Sequence, residues 1–190
     1  MDRYSVHLLG GFAVYHGDDR IDLPPACRRL ITLVTLKRKP VHRLWVCATL
    51  WPHAQTRKAV ASLRSAAWRL RPLGAGPLLC VDPQYLQLSP DVSVDWYDAT
   101  ALIDDVLEGG FDAHLVADLL PLLRAGELLD KSSEPWVKAE RERYHALRAA
   151  AFEALGHGAD KPGPSYSRLL GPHARHAAAG TRGEPEEGRR

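Results

Sequence analysis

Acidic residues are missing from one long part of this chain: between Asp22 and Asp82 there is no aspartate and no glutamate. The same stretch carries eleven bases, namely Arg28, Arg29, Lys37, Arg38, Lys39, Arg43, Arg57, Lys58, Arg64, Arg69 and Arg71. A solvent-facing surface ordinarily mixes both signs, so this run is unlike an ordinary surface and points to a polyanion as partner. Acids return between Asp82 and Leu155, where fifteen stand against six bases. The formal net charge of +2 conceals that division.

Other shortages narrow the function classes. No apolar run approaches the roughly 20 residues that span a bilayer, and Met1-Asp2-Arg3-Tyr4 opens no signal-peptide core. The expectation is a cytoplasmic protein with no membrane partner. Only three cysteines occur, Cys27, Cys47 and Cys80, with no Cys-x-x-Cys pair. That argues against a zinc ribbon and a disulfide scaffold, and their apolar neighbours predict three buried thiols. No Gly-x-x-x-x-Gly-Lys-Ser/Thr loop is present to cradle a nucleotide. Cys27 and Cys47 lack a base at a meaningful spacing, so no catalytic residue is assigned and the chain is read as a non-enzyme. His157, His173 and His176 are irregularly spaced, so neither a metal site nor a cofactor is expected.

What is present reads as an α+β domain over residues 1–94. Tyr4–Leu9, Phe12–Tyr15 and Ile21–Leu23 alternate or follow Gly-rich turns and predict a small antiparallel sheet. Pro24-Pro25 starts a helix whose apolar face is Leu30, Ile31, Leu33, Val34 and Leu36, and Lys37-Arg38-Lys39-Pro40 ends it. A short helix follows from about His42 to Leu50, and a third from about Thr56 to Leu70. The segments Leu78–Asp82 and Tyr85–Leu88 predict a hairpin with Pro83-Gln84 at its tip. Strands, three helices and a hairpin in that order make a winged helix-turn-helix.

The third helix carries the chemistry. Val60, Leu63, Ala67 and Leu70 cluster on one side with Ala59 and Ala66 beside them, which leaves a cationic opposite face. A helix in the major groove needs small residues where backbones approach and long donors where bases and phosphates lie. Ala61 and Ser65 are the small positions. Arg64 and Ser65 are the candidates for base contact, while Arg57, Lys58, Arg69 and Arg71 suit phosphates. Trp68 falls on the outward side, but an exposed indole is costly, so packing against the hairpin or the sheet is favoured over a DNA contact. Gln84 and Tyr85 at the hairpin tip are placed to reach the minor groove or the backbone.

Residues 95–155 read as helical. Asp95 is expected as an N-cap, with Ala99, Leu102, Ile103, Val106 and Leu107 facing inward. Helices over Ala113–Arg124 and after Ser132-Ser133 follow. The last has Tyr144, Leu147, Ala151 and Leu155 inward, and Lys138, Glu140, Arg141, Glu142 and Arg143 outward. Residues 156–190 are rich in Gly, Pro, His, Arg and Ala and are expected to be disordered.

Several strings resemble one family. Leu50-Trp51-Pro52, Arg57-x-Ala59 and Leu63-Arg64-Ser65-Ala66-Ala67-Trp68-Arg69-Leu70-Arg71 look like the DNA-binding domain of Streptomyces antibiotic regulatory proteins. Tyr85-Leu86-Gln87-Leu88 and Val92-x-Val94-Asp95 fit the same pattern. Leu123-Arg124-x-Gly126-Glu127-Leu128-Leu129, Glu134-Pro135-Trp136-Val137 and Glu140-Arg141-Glu142-Arg143 are similar to the opening of the bacterial transcriptional activator domain, an all-α, tetratricopeptide-like array. The resemblance implies a transcription regulator that binds double-stranded DNA, an activator by type, with side-by-side dimers on direct repeats. It also implies that His53-Ala54-Gln55, between the second and third helices, faces RNA polymerase; a simple turn is the alternative. The resemblance leads to the expectation of an incomplete activator domain, and a fragment of a stacked array is expected to leave an apolar face open. The rival reading is therefore a truncated, non-regulatory protein-interaction module.

Overall fold

The computed structural model describes residues 3–110 and 112–158. Strand β1 (Tyr4–His7) pairs antiparallel with β2 (Ala13–His16), and β2 pairs with β3 (Asp19–Arg20). The third strand thus lies two residues before the expected Ile21–Leu23. It pairs directly across the Gly17 turn, where Gly17 has a φ of 60°. A fourth strand, β7 (Ser93–Val94), joins the sheet parallel to β1. Two residues give too little pattern to identify such a strand from sequence.

Helix α1 (Pro25–Lys37) starts on a proline, whose missing N–H is no loss in a first turn. It ends at Arg38, held left-handed at φ 55° with its N–H donating to Thr35 O at 3.2 Å. Cys27 and Leu30 to Leu36 are all buried, which makes α1 the central helix of the winged-helix half. Strand β4 (Val41–His42) leads into α2 (Arg43–Leu50), whose Leu44 N–H is capped by His42 Nδ1. Helix α3 (Thr56–Arg69) buries Ala59, Leu63, Ala66 and, just past its end, Leu70, against α1 and α2. The Cys27 thiol donates to Ala66 O at 3.3 Å across the α1–α3 contact, and burial pushes that thiol's pKa up. Strands β5 (Leu79–Val81) and β6 (Tyr85–Leu88) form the hairpin, and β4 pairs on its other edge. Alternation along β5 puts Leu79 in and Cys80 out, so Cys80 is exposed rather than the buried thiol expected.

Helices α4 (Asp95–Leu107), α5 (Ala113–Arg124) and α6 (Pro135–Gly158) complete the described chain. Helix α6 runs through residues 156–158, which were expected to be disordered; the rest of that expectation falls on residues 159–190, which lie outside the described residues. Asp95 is not the N-cap. Val94 remains in the sheet, paired with Val6, and Asp95 is the first helical residue. Its carboxylate accepts the N–H of Leu8 (2.8 Å), Leu9 (3.1 Å) and Trp96 (2.7 Å), fastening the end of β1 to the start of α4. Burial pushes the Asp95 carboxyl pKa up, against the opposing pull of those donors and of His7 at 3.8 Å.

The helical part closes onto the winged-helix part through one continuous apolar cluster from Val6 to Leu155. The expected open face is not seen among the described residues: of their exposed large apolar side chains, only Leu107 belongs to α4–α6. Leu107 was expected inward, but it is the last residue of α4 and is exposed. Arg141, expected outward, instead turns in and donates to the carbonyls of Leu128 (2.9 Å), Leu129 and Ser132 (2.8 Å). Those carbonyls belong to an irregular loop with no ladder of its own, and a guanidinium fork can serve several at once.

Candidate nucleic-acid interface

The eleven bases of the acid-free segment are equivalent in the sequence and divide sharply in the fold. Arg29 is bound to Glu134 through Nε–Oε1 (2.5 Å) and Nη2–Oε2 (3.1 Å). Arg38 lies over the rings of Trp96 (4.3 Å) and Tyr97 (4.4 Å) and donates to Thr100 Oγ1 at 2.6 Å. Burial lowers the Arg38 pKa and raises that of the Tyr97 phenol to about 12. Lys37 and Arg28 stack on Trp45 and Phe12, and Arg43 donates to Asp82 O at 3.1 Å. These five serve the fold. Arg57, Lys58, Arg64, Arg69 and Arg71 are all exposed and form no ion pair among the described residues.

These five lie on α3 or immediately after it, while the eleventh base, Lys39, is exposed in the loop after α1 and also forms no ion pair among the described residues. The buried stripe is Ala59–Leu63–Ala66–Leu70, spaced four, three and four. Val60 and Ala67, expected in that stripe, sit at its edge and are half-buried. At about 100° per residue the opposite stripe is Arg57, Ala61, Arg64 and Trp68, with Ser65 beside it. Every one of these five is exposed. Lys58 and Arg69 flank the stripe on one side and Arg71 lies beyond it on the other. Trp68 corrects the packing expectation: neither the hairpin nor the sheet covers it, and it is 66% exposed. Its register on α3 places it in the middle of the outward stripe, opposite Ala59, Leu63, Ala66 and Leu70.

The hairpin stands next to this face. Asp82 Oδ1 accepts the N–H of Gln84 (2.7 Å) and of Tyr85 (2.6 Å), which shapes the tip and holds the Asp82 carboxyl below its usual pKa. Arg43 N–H donates to Gln84 O at 2.8 Å, and the His42 and Tyr85 rings meet edge to face at 5.5 Å. The tip is therefore tied to the start of α2 rather than free to swing. Gln84 and Tyr85 both remain exposed. A groove of about 380 Å³ runs between α2, α3 and the tip, lined among others by Leu44, Val60, Arg64, Pro83 and Gln84. It brings Arg64 and Gln84, twenty positions apart in sequence by their numbers, to one concavity.

The α2–α3 turn is compact. Ala54 N–H donates to Trp51 O at 3.1 Å and Ala59 N–H to Gln55 O at 3.0 Å. His53 and Gln55 are exposed, while Ala54 packs against the core. Sequence reasoning missed Leu44 and Trp45, exposed by 53% and 42% on the outer side of α2. The helix buries Val46, Cys47 and Leu50 on its other side, and eight residues are too few for the pattern alone to show which apolar residues face out. Among the described residues no cluster of three or more His, Cys, Asp or Glu is placed to hold a metal, and no helix is long and apolar enough to cross a membrane.

No protein-family model matches the chain, and no curated protein matches it. Among solved structures it is similar to Mycobacterium tuberculosis EmbR, solved in complex with a low-affinity phosphopeptide. The TM-score is 0.59, with 24% sequence identity over 83% of the present chain. The match takes in 47% of the EmbR chain, so the present chain spans about half the length of that structure. At this identity the likeness is one of fold: a mixed sheet with helices at the amino-terminal end, followed by a helical region.

Proposed function

We propose that this chain is a sequence-specific, double-stranded DNA-binding transcription regulator of the Streptomyces antibiotic regulatory protein type. The observation that carries the reading is the exposed face of α3, where every base is unpaired and no acid intervenes. The shared fold with EmbR supports it. Helix α3 enters the major groove. Arg64 and Ser65 approach base edges, Ala61 allows close approach, and Arg57, Lys58, Arg69 and Arg71 hold phosphates. The wing tip, Gln84 and Tyr85, reaches the adjacent minor groove or backbone. Activation, an RNA polymerase contact through His53-Ala54-Gln55 and side-by-side dimers on direct repeats belong to the same reading. So do a cytoplasmic, nucleoid-associated location and the assignment of no catalytic role.

The test is a titration of the full chain against duplex DNA at several salt concentrations. Binding is expected, with affinity falling steeply as salt rises, because each neutralised phosphate releases a counterion. Lys58→Ala is expected to weaken specific and random duplexes alike and to make the salt slope shallower by about one. Failure to bind any duplex at low salt overturns the reading and favours a protein-interaction module.

A further inference from the structure

The outermost stripe of α3 offers an unusual set of base readers. It contains Arg57, Ala61, Arg64 and Trp68, all exposed, and no Asn or Gln follows Gln55 on this helix. The bidentate partner of adenine is thus missing, while Arg64 suits guanine O6 and N7. Trp68 is the largest apolar surface on the stripe. Its indole has one donor, no acceptor and no charge, so it gains little from a phosphate. The apolar group that a base edge presents in the major groove is the thymine 5-methyl. Cations on both sides, Arg64 and Arg69, direct this part of the helix to the same duplex.

Resting on the DNA-binding reading above, we infer that Trp68 is a specificity-determining residue that packs on a thymine methyl group in the major groove. The spacing fixes where that thymine lies. Four residues of helix advance about 6 Å, and bases on one strand are spaced by about 3.4 Å. The thymine therefore falls within about two base pairs of the guanine read by Arg64.

The experiment uses the full chain and a random duplex library. Selected sites are expected to share a guanine with a thymine within about two base pairs of it. Replacing that thymine by deoxyuridine removes only the methyl group. For the unaltered chain the expected loss is about fourfold, the equivalent of about 0.8 kcal/mol for one buried methyl-sized group. Trp68→Ala is expected to bind the thymine and uracil duplexes equally, and its melting temperature should match the parent because the side chain is exposed. Equal affinity of the unaltered chain for both duplexes overturns the inference while leaving DNA binding intact. So does retained discrimination in Trp68→Ala, which would move the methyl contact to Ala61. Binding to no duplex at all overturns both the DNA reading and this inference.

Discussion

Asp82 and Asp95 are two carboxylates that hold backbone in place, and they differ in what a neutral replacement would do. Both hydrogen bonds at the wing tip go to Asp82 Oδ1. An asparagine keeps that oxygen and loses the charge. Asp82→Asn is thus expected to leave the hairpin formed and, under the proposed function, to tighten duplex binding by removing a negative charge near the phosphates; a titration at fixed low salt reads the gain. Asp95 uses both oxygens, on three N–H groups, in a side chain only 9% exposed. Asp95→Ala leaves those donors buried without an acceptor, and chemical denaturation is expected to show a loss of about 2–4 kcal/mol. Arg64→Ala removes a donor that nothing in the fold uses. It is expected to leave stability unchanged and to weaken specific binding by about 1–3 kcal/mol with little effect on random DNA. Equal loss on both duplexes would place Arg64 on a phosphate instead.

Helices and hairpins were the legible elements, because each repeats a pattern over many residues. The bounds of α5 match the 3.6-residue periodicity, and α1 to α3 deviate by a residue or so. The two-residue strands β4 and β7 carry no period, and what defines them is a partner far along the chain. The same reason hid the meaning of the bases. A row of arginines looks alike until the fold brings Glu134 to Arg29 and an aromatic pair to Arg38, and the candidate face is what remains after those are subtracted. Trp68 was misjudged because the general cost of exposing an indole outweighed a helical position that already pointed it outward. One junction between elements lends itself to a direct test. Gly10 has a φ of 70°, and a Cβ there would lie 2.3 Å from Ala125 O in the loop after α5. Gly10→Ala is expected to destabilise the chain by about 2–4 kcal/mol, through left-handed strain and that backbone clash together.

For the molecule as a whole, the sequence changes charge at Asp82 and turns helical after residue 94, yet the fold stitches across both lines. Arg38 over its aromatic pair, Asp95 under β1 and the Arg29–Glu134 pair all join one side to the other, over a shared apolar cluster. Thermal unfolding is therefore expected to show one transition by both far-ultraviolet circular dichroism and tryptophan fluorescence. Two separated transitions would show that the halves melt independently. The most distant stitch lies at the end of β1. Leu9 bridges Leu128, Gly10 N–H donates to Glu127 O at 2.8 Å, and Leu129 N–H donates to Leu8 O at 2.8 Å. A ribosome makes those first residues early and their partners much later. At about 5–20 residues per second, Leu9 waits roughly 6–24 s for Leu128 to be synthesised. During that interval β7 can already join β1, but Leu8, Leu9 and Gly10 still lack their partners at residues 127–129, so this junction cannot close until the chain is nearly through its described length.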